Sequence, residues 1–243
     1  MWKMVIFICS VCYSSLVSGQ KLMISEINDS TFVYTTYNTY KNQQVPANGL
    51  LKVTSTGVVM IDTPWDTTQF QPLLDSISSR FQKPVNLVIA THAHDDRTAG
   101  LDFYKKKGIP TFTSRATAQI CFENEAPQPE FTFLKDTVFN LNGTLIQTYF
   151  PGAGHAPDNI VIWFPNDKVL FGGCFLKSTD ATDLGNLSDA NLGAWPFAIS
   201  NVKDRYENAR VIIPGHGSWE HNAIKHTQKL LRQRLRSRIF KKK

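Results

Sequence analysis

The 243-residue sequence predicts an α/β fold of two mainly antiparallel sheets with helices on their outer faces. Two stretches are filled by short apolar or alternating runs bounded by turn residues, and each gives way to segments with apolar residues three and four apart. No repeat, linker or low-complexity segment divides residues 20–231, so both stretches belong to one domain. A hydrophobic content of 42% supplies one sizeable core, while 19% charged residues, 14 Gly and 12 Pro exclude disordered, collagen-like and coiled-coil classes.

The runs LMISEI (22–27), TFVYTT (31–36), GLLKVTS (49–55) and GVVMIDT (57–63), separated by Asn28, Asp29, Asn48 and Gly57, predict an antiparallel meander. Over residues 67–81 the spacing of Phe70, Leu73, Leu74, Ile77 and Phe81 predicts an amphipathic helix that starts near Pro72. VNLVIAT (85–91) reads as a strand buried on both faces, followed by the polar loop HAHDDR and a helical segment ending at Gly108. After a short helix near Thr117–Glu123, FTFLKD, TLIQTYF, NIVIWF and KVLFGGCFL form a second strand-rich region. Helices near 189–208 and from 221 onward flank a last strand, ARVIIPG.

Residues 1–19, MWKMVIFICSVCYSSLVSG, carry Lys3 ahead of an apolar run and end in small residues, the pattern of a secretory signal peptide. The run from Met4 to Leu16 falls short of the roughly 18 residues that span a bilayer, so a soluble, exported chain, periplasmic in a bacterial source, is expected. The net charge of +6 invites a nucleic-acid reading, which its distribution opposes. Seven cations (Arg232, Arg234, Arg236, Arg238 and Lys241–Lys243) crowd the basic tail 232–243, leaving residues 20–231 with 18 basic and 20 acidic residues. That tail is expected to be a solvated helix end. Weak contact with an anionic membrane surface, through a stripe of Leu231, Leu235 and Ile239, is the alternative, and stable insertion is not expected.

Of the four cysteines, Cys9 and Cys12 lie in the signal segment. Cys121 is expected to be a buried free thiol rather than one half of a disulfide with Cys174. Cys174 by itself also reads as a core cysteine; its company changes that reading. In THAHDDR, His92 and His94 stand two apart on an extended backbone and can converge on one ion, with Asp96 swung onto a neighbouring position. His155 sits in the Gly-rich GAGHAPDN, and His216 follows a strand in IIPGHG. Four of six histidines, one Asp and one Cys thus fall at predicted strand ends, while His221 and His226 read as surface residues. Three histidines with an open position suit one catalytic zinc, an Asp-Cys-His set suits a second, and hydrolysis of an acyl bond is the implied chemistry.

THAHDDR, GAGHAPDNIVIW, LFGGCFLKS, DLGNLSDANLGAWP and VIIPGHG, in that order, resemble the metallo-β-lactamases, in particular the dizinc subclass and most closely flavobacterial enzymes. The resemblance spans residues 22–231. Arg97 stands where thioesterases and nucleases of that fold carry a further metal-binding histidine, and His92 where monozinc carbapenemases carry Asn. What it implies is an αβ/βα sandwich, hydrolysis of penicillins, cephalosporins and carbapenems, and two Zn2+ ions in a monomer. His92, His94 and His155 would hold one ion and Asp96, Cys174 and His216 the other, with a bridging hydroxide attacking the lactam carbonyl.

By the same resemblance Lys177 binds the substrate carboxylate, and Asn186 lies near the carbonyl oxygen. Asp96 and Asn186 are the candidate catalytic residues. The hairpin 37–47 offers Tyr37, Tyr40 and Val45 to the substrate, or is a plain exposed turn. Asp62 is either a partner orienting a ligand or a strand-end cap. Ala156 and Ser188 depart from the usual Thr and Gly, which bears on substrate preference. A thioester hydrolase of the same fold, a nucleic-acid-binding protein and a closed structural zinc site are the competing readings.

Overall fold

A computed structural model of the chain describes residues 22–134 and 136–240, the last three by backbone alone; the signal segment lies outside these residues. The first sheet runs, neighbour to neighbour, β1 (Met23–Asn28), β2 (Thr31–Tyr40), β3 (Gln43–Val53), β4 (Val58–Ile61), β5 (Val85–Ile89), β6 (Thr111–Ser114) and β7 (Phe131–Phe133). The second holds β8 (Val138–Leu141), β9 (Thr144–Tyr149), β10 (Val161–Phe164), β11 (Val169–Gly173) and β12 (Val211–Pro214), in the spatial order β12-β11-β10-β9-β8. Helices α1 (Phe70–Phe81), α2 (Asp95–Thr98), α3 (Leu101–Lys106) and α4 (Arg115–Glu123) follow strands of the first sheet. Helices α5 (Trp195–Arg205) and α6 (Ala223–Phe240) belong to the second half.

Side-chain alternation sorts these elements into four layers. In β4 every residue is buried, and Val59 and Ile61 face the other sheet while Val58 and Met60 face helices. The inter-sheet core joins Val33, Leu50, Leu87 and Ile89 to Ile162, Phe164, Val169, Phe171 and Ile213. On the outside of the first sheet, Phe32, Leu51 and Val88 pack against Phe70, Leu73 and Ile77 of α1 and Leu101 and Tyr104 of α3. Outside the second sheet, Val161, Trp163 and Leu170 meet Trp195, Ile199 and Val202 of α5 and Ile224, Leu230 and Leu231 of α6. Lys52 crosses between the sheets, its Nζ 2.6 Å from Asp167 Oδ2 with both side chains mostly buried.

The expected sandwich is thus present, with four local differences. The pairings β4–β5, β5–β6, β6–β7 and β11–β12 are parallel, and the other six are antiparallel. FTF joins the edge of the first sheet as β7 rather than opening the second, whose first strand is VFNL. The loop after β5 is wound into α2, and a break at Gly100 separates it from α3: a side chain there would meet the Tyr104 ring at 2.6 Å. Finally α5 starts at Trp195, with Pro196 in its first turn, instead of near 189. That leaves Asp189 in an open loop, able to reach the metal-ligating residues' edge of the sheets.

Candidate metal centre

Chain direction brings the six candidate ligands to one edge. The ends of β5, β11 and β12 and the start of β10 lie there, because β11 is parallel to β12 and antiparallel to β10. Gly173 takes φ +51, turning the chain so that Cys174 leaves the strand toward the first sheet. Gly215 N donates to Gly173 O at 2.7 Å and Asn48 N to Gly215 O at 2.8 Å, fixing the His216 loop between β3 and β11. Asn48 Nδ2 also donates to the Pro214 and Gly217 carbonyls.

Two clusters result. His94 Nδ1 lies 3.2 Å from His92 Nε2 and 3.2 Å from His155 Nε2. Asp96 Oδ2, Cys174 Sγ and His216 Nε2 stand 3.1, 3.2 and 3.3 Å apart. Ligating atoms of His92, Cys174 and His155 also fall within 4.8 Å of one another, so the clusters adjoin. Of these residues only His94 and His216 are more than slightly exposed.

Hydrogen bonds behind three of the four rings fix their tautomers, while His155 Nδ1 is buried without a partner among the described residues. A hydroxyl has one proton: Thr91 Oγ1 donates to Asp62 Oδ2 at 3.1 Å and therefore accepts from His92 Nδ1 at 3.2 Å, leaving the His92 Nε2 lone pair for the site. His216 Nδ1 donates to Pro46 O at 2.6 Å, freeing its Nε2. His94 Nε2 lies 2.7 Å from Asp189 Oδ2, freeing Nδ1. Lone pairs pointed at one another from 3.2 Å repel, and a shared cation removes that repulsion. Nitrogens on a tetrahedral zinc at about 2.0–2.1 Å stand about 3.3–3.4 Å apart, close to the 3.2 Å that separates His94 Nδ1 from the Nε2 of each of the other two rings. Imidazole with thiolate and carboxylate favours zinc over magnesium or calcium.

The electrostatics agree with a metal centre. Burial, with neighbouring His94 and Lys177, holds His92 and His155 well below the usual histidine range, in the neutral ligating form. Burial opposes ionisation of Asp96, but Arg97 overrides it and keeps the carboxyl well below its ordinary value. His216 is the exception: burial works against its charged form, yet Cys174 and Asp96 raise it to about 9, so an ion at this cluster would have to displace the Nε2 proton. Arg97 Nη2 reaches Asp96 Oδ2 at 2.8 Å and Cys174 Sγ at 3.0 Å, placing its charge directly behind both groups.

A cleft of about 700 Å³ opens over both clusters, bordered by His94, Asp96, His155, His216, Lys177, Asn186, Tyr40, Val45 and Trp65 among others. Lys177 Nζ sits 5.6 Å above the Trp195 ring, and burial lowers its pKa while Cys174 and Asp96 oppose the shift. Asn186 is exposed at the rim, its Oδ1 accepting from Ser188 N at 3.1 Å. Tyr37 does not border the cleft: Gln69 brackets its backbone, with bonds of 3.1 Å to Tyr37 N and 2.6 Å to Tyr37 O. Asp62 acts through Thr91 and Arg97 rather than on a ligand directly. Cys121 and Cys174 are both free, and His226 is half-buried with its Nε2 2.8 Å from Ala181 O rather than on the open surface. Asp189 and Arg97 were the unassigned partners in the sequence. Arg97 adjoins Asp96, whereas nothing local marks Asp189.

A family model for the Metallo-beta-lactamase superfamily matches residues 45–216. Metallo-beta-lactamase type 2 of Elizabethkingia meningoseptica is 39% identical over 212 residues, covering 87% of this chain and 85% of its own. Metallo-beta-lactamase IND-1 of Chryseobacterium indologenes is 37% identical over 232 residues, 94% of this chain and 97% of its own. Among solved structures, a metallo-beta-lactamase from Pontibacter korlensis superposes with a TM-score of 0.84 at 39% identity, covering 87% of this chain and 99% of that one. The chain belongs to the metallo-beta-lactamase superfamily and is a hydrolase of that family.

Proposed function

We propose that this enzyme opens the β-lactam amide of penicillins, cephalosporins and carbapenems, and so confers resistance to them, with two zinc ions per chain. His92, His94 and His155 hold one ion, and Asp96, Cys174 and His216 the other. The observation that carries this reading is the pair of adjoining three-ligand clusters beneath one cleft. Each cluster offers three protein ligands, as catalytic zinc sites do, where a closed structural site takes four. When bound, the ions supply a water nucleophile at neutral pH and polarise the amide carbonyl.

The chain's own residues do the rest. Lys177, at the cleft wall beside Trp195, binds the carboxylate common to these substrates. Asp96, buried, and Asn186, exposed at the rim, both line the cleft and act on the reacting amide. Tyr40 and Val45, on the hairpin that turns at Lys41 and Asn42 in left-handed conformations, offer apolar contact to the substrate's side groups. Arg97 in place of a metal-binding histidine, with Cys174 as the replacement ligand, distinguishes the site from a thioester hydrolase of the same fold. The enzyme works as a monomer in the periplasm, and the signal-type segment in the sequence supports that location.

The test is turnover of a carbapenem and a cephalosporin by residues 20–243 against zinc stoichiometry. Activity should vanish with a chelator, return with zinc and reach its plateau near two equivalents. A zinc-loaded protein inert on every β-lactam but active on a thioester overturns the reading.

A further inference from the structure

Helix α6 carries Lys225, Lys229, Arg232, Arg234, Arg236 and Arg238 between Ala223 and Phe240, and no acidic residue. Lys225, Lys229, Arg232 and Arg236 follow one another at intervals of four, three and four, the spacing that places side chains on one helix face. All four are exposed. The opposite face is the packed one, where Ala223, Ile224, Thr227, Leu230 and Leu231 are buried. At 1.5 Å per residue the row spans about 16 Å. Among the described residues no carboxylate lies within ion-pair distance of any of the four.

We propose that this face of α6 docks the enzyme on a bilayer surface rich in anionic phospholipid. Before α6, residues 20–222 hold 16 basic and 20 acidic residues and offer no such attraction as a whole, so the helix carries the contact. In the sequence Ile239 and Phe240 follow Arg232 by seven and eight residues, and Lys241–Lys243 come after them. A basic row that runs into apolar residues suits the headgroup and acyl boundary; a nucleic-acid backbone has no use for them. Leu230 and Arg234, on the other side of α6, border a cavity against the 182–187 loop that also edges the catalytic cleft, so docking leaves the cleft open.

The test is co-sedimentation of residues 20–243 with phosphatidylcholine vesicles, with and without phosphatidylglycerol. Binding should require phosphatidylglycerol and weaken steeply as salt shortens the Debye length from about 10 Å at 0.1 M to about 3 Å at 1 M. Replacing the four residues together (Lys225→Gln, Lys229→Gln, Arg232→Gln, Arg236→Gln) should lower partitioning on the order of 1,000-fold, with turnover and melting temperature at parental values. Deleting 232–243 should also release the protein without loss of turnover. No binding to either vesicle, equal binding to both, binding unchanged in the fourfold variant, or tighter binding to duplex DNA at the same salt overturns the proposal.

Discussion

Arg97 Nη1 lies 3.1 Å from Asp62 Oδ2, and both side chains are completely buried. The same guanidinium donates to Asn48 O at 2.6 Å, Gly215 O at 2.9 Å, Asp96 Oδ2 at 2.8 Å and Cys174 Sγ at 3.0 Å. One planar fork thus ties the middle of β3 and the ends of β4, β11 and β12 to α2, which a single ammonium could not do. Burial pushes the Asp62 carboxyl up to about 6, against the pull of Arg97, so the pair is held under desolvation rather than at an open surface. Arg97→Met leaves two buried carboxylates without their cation and is expected to cost about 3–5 kcal/mol, a fall in Tm of roughly 6–20 °C by calorimetry. Arg97→Lys should fall between the two. A melting temperature unchanged in Arg97→Met would show that the fork is dispensable.

The His94–Asp189 contact is partly exposed, with Asp189 at 49% side-chain exposure, so its value is orientation rather than stability. Asp189→Ala is expected to weaken zinc binding at the three-histidine cluster by about 10–100-fold, with little change in Tm of the metal-free protein. Competition with a chromophoric chelator reads the affinity directly. An unchanged affinity would mean that His94 Nδ1 needs no help in facing the ion.

Lys177 and Asn186 differ in their settings, and their substitutions should separate accordingly. Lys177→Ala removes a buried cation at the cleft wall and is expected to lower kcat/KM about 10–100-fold, mainly by raising KM. Asn186 is exposed and its Oδ1 is engaged by Ser188 N, so Asn186→Ala should cost less than about tenfold. Steady-state kinetics on one cephalosporin decide both; a larger loss for Asn186→Ala than for Lys177→Ala would reverse the assignment.

The local patterns that sequence displays are the ones the structure keeps. The apolar run in GVVMIDT and the three-and-four spacing of Phe70, Leu73 and Ile77 depend on neighbours a few residues away, and both elements form where they were expected. Six ligands at strand ends were legible because loop residues with such chemistry seldom gather by chance. What was not legible depends on distant pairing. FTF becomes β7 because β6 offers it a parallel edge, and no residue in FTF says which sheet that edge belongs to. Asp189 reaches His94 across 95 positions of sequence, and Arg97 reaches Asn48 across 49, so neither partnership leaves a local mark. Tyr40 and Val45 border the cleft and Tyr37 does not, a division of the hairpin that its two open readings could not make from local residues.

Gly215 supplies the sharpest steric test of how Cys174 is seated. A Cβ there would lie 2.6 Å from Cys174 N and 2.7 Å from Gly173 C, both backbone atoms, and 2.8 Å from Arg97 Nη2. Backbone cannot swing aside as a flexible side chain can, so relief requires parting the ends of β11 and β12. That movement would break the 2.7 Å bond from Gly215 N to Gly173 O and displace Cys174 from Asp96 and His216. Gly215→Ala is expected to cost about 1–3 kcal/mol in stability and to weaken zinc binding at the Asp96, Cys174 and His216 cluster at least about tenfold. Gly143→Ala is the matched control: its added Cβ meets nothing within 4 Å, and only its φ of +91 resists a side chain. It should cost about 1–2 kcal/mol with zinc binding and turnover per folded molecule unchanged. If both variants bind zinc like the parent, the close approach of the two strand ends is not what seats Cys174.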